Sequence, residues 1–341
     1  MMKPLFMWAG GKTKLIDNHY GPLLPDRFDK YHEPFFGAGA MFVWAHKKNP
    51  NAKFYINDIN HDIVKVYQTI RDDVTGFINI VDGFEAKYLA LDPPRVKDKS
   101  SDKTVWVDHP AGMKDADLEK KYKLPRNKYD WHSIYAEKQT RRTFFFKARQ
   151  TYQQDYKEWS KTEEAATLYF LMKTAFNGVW QLGKDDYGRF NTPCGLMRHV
   201  DSIYEKDNVI EWHRALQNCD ITSNDFADTI NDVGGGSYVF LDPPYRSASE
   251  TEKTFADYGT ELGDEFQEKV LDFFHQTYNR GAYSLLSNRD WGDNFFENRN
   301  KDCEIVYFDV TYTVGRKKKQ DDDTHTATKA KEILMIGKKL E

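Results

Sequence analysis

Cysteine is scarce. The 341 residues hold three, Cys194, Cys219 and Cys303, far apart and odd in number. That leaves neither a disulfide framework nor a metal-site spacing, and it suits a reducing cytoplasm. Long apolar runs are missing, so no stretch is expected to span a membrane. The first residues do not read as a signal peptide, because Trp8-Ala9-Gly10-Gly11-Lys12 interrupts any apolar run. Excess positive charge is absent: the formal net charge of −4 argues against a chain that binds nucleic acid over its whole surface. A P-loop is missing too. Gly11-Lys12-Thr13 tempts that reading, but the motif needs a glycine five positions before Gly11, and Phe6 stands there.

What is present is enough apolar material, 40% of residues, for one large domain or two modest ones. Aromatic residues reach 15%, many in polar surroundings, which favours stacking surfaces beyond an ordinary core. The organising stretch is Val239-Phe240-Leu241-Asp242-Pro243-Pro244-Tyr245. Its apolar run reads as a buried strand that must end at two prolines, which offer no N–H to a sheet. An acid therefore stands at the strand's carboxyl end, where open α/β sheets bind ligands. The chemistry fits a planar aminated base. The Asp242 carboxylate accepts one N–H, a proline carbonyl accepts the other, and the Tyr245 ring stacks on the base. A plain turn that ends a strand is the bland alternative. Leu91-Asp92-Pro93-Pro94 lacks both a preceding strand and the aromatic, and reads as a loop.

Other segments fall around this one. Trp8 to Lys12 reads as a glycine turn that lets backbone approach a ligand, with Lys12 near to meet a carboxylate. Tyr31 to Glu33 runs into Pro34-Phe35-Phe36-Gly37-Ala38-Gly39, a tight turn into a helix from Ala40 to about His46. Phe54 to Ile56 is a second strand, ending near Asp58, which lies 21 positions after Gly37. An acid at that distance binds a ribose hydroxyl, or it caps a helix from Ile59 to Ile70. Asp225-Phe226 stands at a further strand tip, where an acid and a ring suit an adenine. A helix is expected from Phe266 to Tyr278, and strands over 282–286, 304–313 and 333–336.

Residues 71–198 break this rhythm. Residues 92–130 read as loops. From Glu119 to Arg149 there are ten Lys/Arg against three Asp/Glu, interleaved with rings, a composition for phosphates and bases. A solvated helix face is the plain reading of Arg141 to Arg149. Glu163 to Phe176 reads as a helix with one apolar stripe of Leu168, Leu171, Met172 and Ala175. Asn177 to Pro193 then forms a hairpin, its turn at Asp185–Gly188, either entering a groove or stapled to the core. Gly315 to Lys319 is a basic loop, largely offset by Asp321 to Asp323.

Taken in order, Trp8-Ala9-Gly10-Gly11-Lys12, Phe35-Phe36-Gly37-Ala38-Gly39, Asp58, the 177–193 hairpin and Asp242-Pro243-Pro244-Tyr245 resemble the Dam-type DNA adenine-N6 methyltransferases. The resemblance covers about two thirds of the chain and leaves 92–160 unplaced. It implies an α/β class: a Rossmann-like methyltransferase sheet with helices on both faces and a largely helical target-recognition insert carrying a β-hairpin. Residues 1–70 and 199–341 would be the catalytic domain, and 71–198 the recognition domain. S-adenosyl-L-methionine is the implied methyl donor, held by Trp8, Ala9, Gly10, Lys12, Phe36, Gly37, Gly39, Asp58, Asp225, Phe226 and Asp242. Asp242, Pro243, Pro244 and Tyr245 would be catalytic. Double-stranded DNA is the implied partner, its adenine flipped out. Its contacts would be Arg141, Arg142, Asn177, Trp180, Gln181, Arg189, Asn191, Pro193 and Lys317. No metal is required, and the setting is the cytoplasm of a prokaryotic or phage-infected cell, with or without a restriction partner. Members that read GATC carry a basic residue where Met7 stands and an arginine where Gln181 stands. Arginine reads guanine and glutamine reads adenine, so GATC is not the expected site. Other amino groups (cytosine N4, RNA, a protein amide) and an inactive DNA-binding relative stay as alternatives.

Overall fold

Short strands buried along their length require a sheet covered on both faces. In the computed structural model all five residues of Ser237–Leu241 are buried, as a central parallel strand requires. Residues 2–8, 11–91, 95–97, 104–106, 120–124, 128–183, 188–195, 201–247, 263–312 and 328–337 are described. Their strands are β1 (Lys30–Glu33), β2 (Lys53–Asn57), β3 (Arg95–Lys97), β4 (Thr104–Trp106), β5 (Cys219–Thr222), β6 (Ser237–Leu241), β7 (Tyr283–Asp290), β8 (Glu304–Tyr312) and β9 (Thr328–Ile336).

The chain forms two compact units. The sheet unit comprises Lys12–Asn60, Asn218–Thr254 and Tyr258–Glu341. Its seven strands run in the order β5-β2-β1-β6-β7-β9-β8. β5, β2, β1, β6 and β7 are parallel, while β9 is antiparallel to β7 and β8. On one face Val239 and Leu241 pack with Val270, Leu271 and Phe274 of the helix Asp264–Asn279. On the other, Tyr238 meets Phe28 and Tyr31, and Tyr31 meets Phe42 of the helix Ala40–Lys48. The expected Rossmann-like α/β sheet, clad on both faces, is what the chain forms. Four strands are longer than expected: β7 reaches Asp290, and β9 begins at Thr328 because its whole length pairs with β8; β2 extends to both Lys53 and Asn57, and β6 begins at Ser237.

The helical unit comprises Met1–Gly11, His61–Gln217 and Phe255–Asp257. Its centre is the helix Lys161–Thr174. Ser160 caps it, accepting from Glu163 N while the Glu163 side chain accepts from Ser160 N. The expected single stripe is corrected here: Glu164 through Met172 are buried without interruption. Neighbours on several sides explain it. Phe84 stacks on Phe170 at 4.6 Å, Phe77 meets Tyr169, and Phe144 of the helix Arg141–Gln154 meets Phe170. A helix apolar on all sides is a buried one. The loop reading of 92–130 is also corrected, since β3 and β4 pair antiparallel with Val96 opposite Val105. Leu91 follows the helix Val74–Leu89 rather than a strand, and Asp92 to Pro94 lie outside the described residues. Among the described residues, no helix is long and apolar enough to cross a membrane.

Candidate active site

The carboxyl ends of β1, β2, β5 and β6 gather the acids. Asn57, at the end of β2, ties three strand ends together. Its Nδ2 donates to the Pro34 and Asn224 carbonyls, and its Oδ1 accepts from Thr222 Oγ1 and Asn224 N. After β1 the chain turns through Gly37 (φ 50°) and Gly39 (φ 70°), a left-handed backbone that disfavours side chains. Gly37 N donates to Asp58 Oδ2 at 2.7 Å, and Asn60 N donates to Asp58 Oδ1 at 2.9 Å. Asp58 thus braces the glycine turn and also turns the chain toward the helix His61–Asp72. Burial raises its pKa, against the two N–H groups. Each of its oxygens keeps a second lone pair for a ligand. Phe226 is buried against Phe35 at 5.0 Å. Asp225 is exposed and caps the short helix after it by accepting from Ala227 N. Phe36 is buried, and Ala9 and Gly10 lie outside the described residues.

Asp242 leaves β6 directly. Lys12, 4% exposed, places Nζ 3.0 Å from Asp242 Oδ1. The carboxylate that Lys12 meets therefore belongs to the protein itself. Burial pushes Asp242 up to about 6; the Lys12 cation opposes this and Glu332 adds to it. The same Nζ lies 4.6 Å from the centroid of the Tyr245 ring. The Tyr245 hydroxyl is 2.8 Å from Ser287 Oγ and donates to Glu332 Oε2 at 2.9 Å. Tyr20 OH is 3.0 Å from the same Ser287 Oγ.

The turn after Asp242 is held from behind. The Pro244 carbonyl accepts from Gln267 Nε2 at 2.9 Å, and Gln267 Oε1 accepts from Asn288 Nδ2. Asn288 Oδ1 in turn accepts from Arg246 N. Gln267, Ser287, Asn288 and Glu332 are all buried, and sequence reasoning missed them. The one signal was their polarity inside otherwise apolar strand and helix patterns.

In the helical unit, Gly178 adopts φ +62°, and a Cβ there would lie 2.5 Å from both Cβ and O of Met7. That close approach sets the N-terminal segment against the start of the hairpin. Bridges Ala175–Cys194 and Leu182–Phe190 close it, and Arg149 Nη1 donates to the Asn191 and Thr192 carbonyls. Trp180 is buried between Trp8 (6.1 Å) and Phe190 (5.3 Å). Gln181 and Pro193 are exposed, and Arg142 and Asn191 are half-buried. Phe176, 41% exposed, was missed; the expected helix to Phe176 ends at Thr174, and an aromatic just before the hairpin was the available signal.

Three of the residues expected to contact DNA are buried. Trp180 is core. Arg141 is 3% exposed, its Nη2 on the Leu89 carbonyl and its guanidinium 5.0 Å from the Tyr88 ring. Arg189 is 8% exposed. It donates to Tyr152 OH, Glu164 and Asp62, and lies 3.5 Å from the Tyr156 ring centroid. Acids and rings inside the unit supply what phosphate would. Lys317 and the side chain of Asn177 lie outside the described residues.

Comparison with known proteins decides the family. The model of the D12 class N6 adenine-specific DNA methyltransferases matches residues 8–93 and 128–314. The chain belongs to that family. It is an enzyme that methylates adenine N6 in DNA. The match resumes at 128, so the span 92–160 that matched nothing in the sequence reading shrinks to 94–127. Among curated relatives, the chain is 26% identical to the Type II methyltransferase M.MjaIII of Methanocaldococcus jannaschii, covering 84% of each chain. It is 24% identical to the Type II methyltransferase M1.LlaDCHI of Lactococcus lactis subsp. cremoris, covering 93% of this chain and 90% of that one. It is 22% identical to the DNA adenine methylase of Haemophilus influenzae, covering 84% and 80%.

Proposed function

We propose that Asp242, Pro243 and Tyr245 hold a flipped adenine of double-stranded DNA while its N6 receives a methyl group from S-adenosyl-L-methionine. The observation that carries this reading is the placement of Asp242 and the anchored Tyr245 together at the end of β6, with Lys12 Nζ near both. A neutral base is extruded at roughly a few kcal/mol, partly offset by stacking on Tyr245. Asp242 accepts one N6 hydrogen. The Pro244 carbonyl accepts from Gln267 on the core side, and the Pro243 carbonyl, as the resemblance implies, is the second acceptor. Both raise electron density on a nitrogen whose lone pair is drawn into the ring. Held in line at about 3–3.5 Å, the reaction needs little beyond position.

The sheet unit fits the methyl donor. Gly37 and Gly39 leave room for a nucleoside at the strand ends, Asp58 keeps lone pairs for ribose hydroxyls, and Phe226 offers a ring edge. The donor supplies an electrophilic methyl on a cationic sulfur. Bound there, the donor would give up its methyl to N6 and keep the C–S electron pair on sulfur, and the proton displaced from N6 would pass to solvent water. Lys12 sets the charge on Asp242. Trp8, Ala9, Gly10 and Asp225 are carried by the resemblance alone.

Recognition falls to the insert, residues 71–198, through exposed Phe176, Gln181 and Pro193 with half-buried Arg142 and Asn191. The relatives come from an archaeon and from bacteria, which supports action on DNA inside such cells. The test is transfer of labelled methyl to duplex DNA, followed by digestion to nucleosides. N6-methyladenine is expected, and Asp242→Ala should slow its formation about 10²–10³-fold. Label on cytosine N4 would overturn the acceptor assigned here.

A further inference from the structure

Behind the reacting face lies a buried carboxylate that the mechanism above does not use. Glu332 comes from β9, 2% exposed, and accepts the Tyr245 hydroxyl at 2.9 Å. Ser287 of β7 is the second anchor at 2.8 Å, and Tyr20 fixes Ser287 in turn. Two strands thus converge on one phenol oxygen, and Tyr20 braces one of the two anchors. A surface tyrosine with one partner can swivel about its ring axis; one gripped through its hydroxyl by two strand residues cannot.

We propose that Glu332 is a positioning residue for methyl transfer: with Ser287 it fixes the plane of Tyr245 and makes its ring face electron-rich toward the positive charge that develops on the acceptor nitrogen. The proposal rests on the reading in which Tyr245 stacks on the target adenine. A carboxylate accepting a phenol hydrogen bond pushes electron density into the ring. Ring faces attract cations, more strongly when water is excluded. The structure already shows a cation there, since Lys12 Nζ lies over the ring and beside Asp242. The adenine N6 starts neutral and gains charge as the bond to methyl forms. Attraction to the ring therefore grows toward the transition state, which is where it accelerates the reaction.

The test is a double-mutant cycle of Glu332→Gln and Tyr245→Phe. It reads single-turnover methyl transfer to a duplex, and emission from a duplex with 2-aminopurine at the target position, measured without cofactor. Glu332→Gln keeps an acceptor of the same size and removes the charge. It should slow transfer about threefold to tenfold, the range of one cation–ring contact, and alter the 2-aminopurine signal, with duplex affinity unchanged. In the Tyr245→Phe background it should do nothing further, because the hydroxyl through which it acts is gone. An equal slowing in both backgrounds, or none in either, overturns the proposal. If Glu332→Gln fails to fold, Ser287→Ala takes its place in the same cycle with the same outcomes. Failure of the underlying reading looks different: wild-type enzyme would then yield no N6-methyladenine, or Asp242→Ala would transfer at the wild-type rate.

Discussion

The two units treat their charged side chains in opposite ways. In the sheet unit, Asp58 and Asp242 stand at strand ends and keep part of their surface accessible. In the helical unit, whose sequence advertises a basic face, Arg141 and Arg189 turn inward. Asp58 and Asp242 each follow the last residue of a strand, where no sheet neighbour covers the side chain. A helix has a covered and an open side, and which side an arginine takes depends on partners elsewhere in the chain. Local pattern therefore reports function well at strand ends and poorly on helices.

The sharpest way to break this comparison is Arg189→Met. If Arg189 is a core cation, its removal leaves the buried Glu164 and the half-buried Asp62 with less compensation. Breaking a buried pair in this way costs about 3–5 kcal/mol. Lys65, 2.6 Å from Glu164, places the expected loss at the lower end. Urea unfolding reads it directly. A phosphate contact would instead leave stability unchanged and lower the salt dependence of DNA binding. In the sheet unit the counterpart is Asp242→Ala. It should slow methyl transfer about 10²–10³-fold, the loss seen when one preorganised electrostatic contact is removed from a reacting centre. Folding should hold, because Asp242 is only partly buried. Single-turnover assays at saturating DNA separate the two effects.

A smaller effect should follow at the hairpin. Phe176→Ala removes an exposed ring, and base–aromatic stacking is worth about 1–3 kcal/mol. Duplex affinity should weaken within that range while methyl transfer from the bound state changes little. Trp180→Ala should act the other way, costing stability first, because its ring is enclosed by Trp8 and Phe190. Equal effects of the two on affinity would erase the distinction between exposed and enclosed rings on which the comparison depends.

Legibility in the sequence followed the same division. Val239 to Leu241, the glycine turn at Gly37 and Gly39, and the strand before Asp58 were readable because each is set by residues within a few positions. So was the hairpin after Asn177. Arg189 was not, since its partner Asp62 lies 127 positions away. The uninterrupted burial of the helix from Lys161 was hidden for a similar reason: the rings that cover it come from two other helices. Within the active centre, Asp242 was visible from its motif, but Glu332 reaches Tyr245 across 87 positions. No periodicity marks a polar residue in a strand as buried rather than exposed. The pairing of Lys12 with Asp242 was equally out of reach, because a glycine turn predicts that something approaches it without saying what.

That pairing allows the finest test of the sheet unit, through pH. Asp242 must be ionised to accept the N6 hydrogen, and its pKa in the free enzyme is pushed up to about 6. Below that pH the carboxyl is protonated and loses its acceptor charge. kcat/KM, which reports groups of the free enzyme, should therefore fall about tenfold per pH unit on the acid side and level off above. Burial raises this pKa and the Lys12 cation lowers it. Lys12→Met deletes the lowering contribution and keeps a chain of similar length. The acid limb should consequently move to higher pH, with the plateau rate less affected than the position of the limb. A limb that stays in place would mean that Lys12 does not control the charge on Asp242. A limb that moves to lower pH would contradict the sign of an ion pair and remove Asp242 as the titrating group.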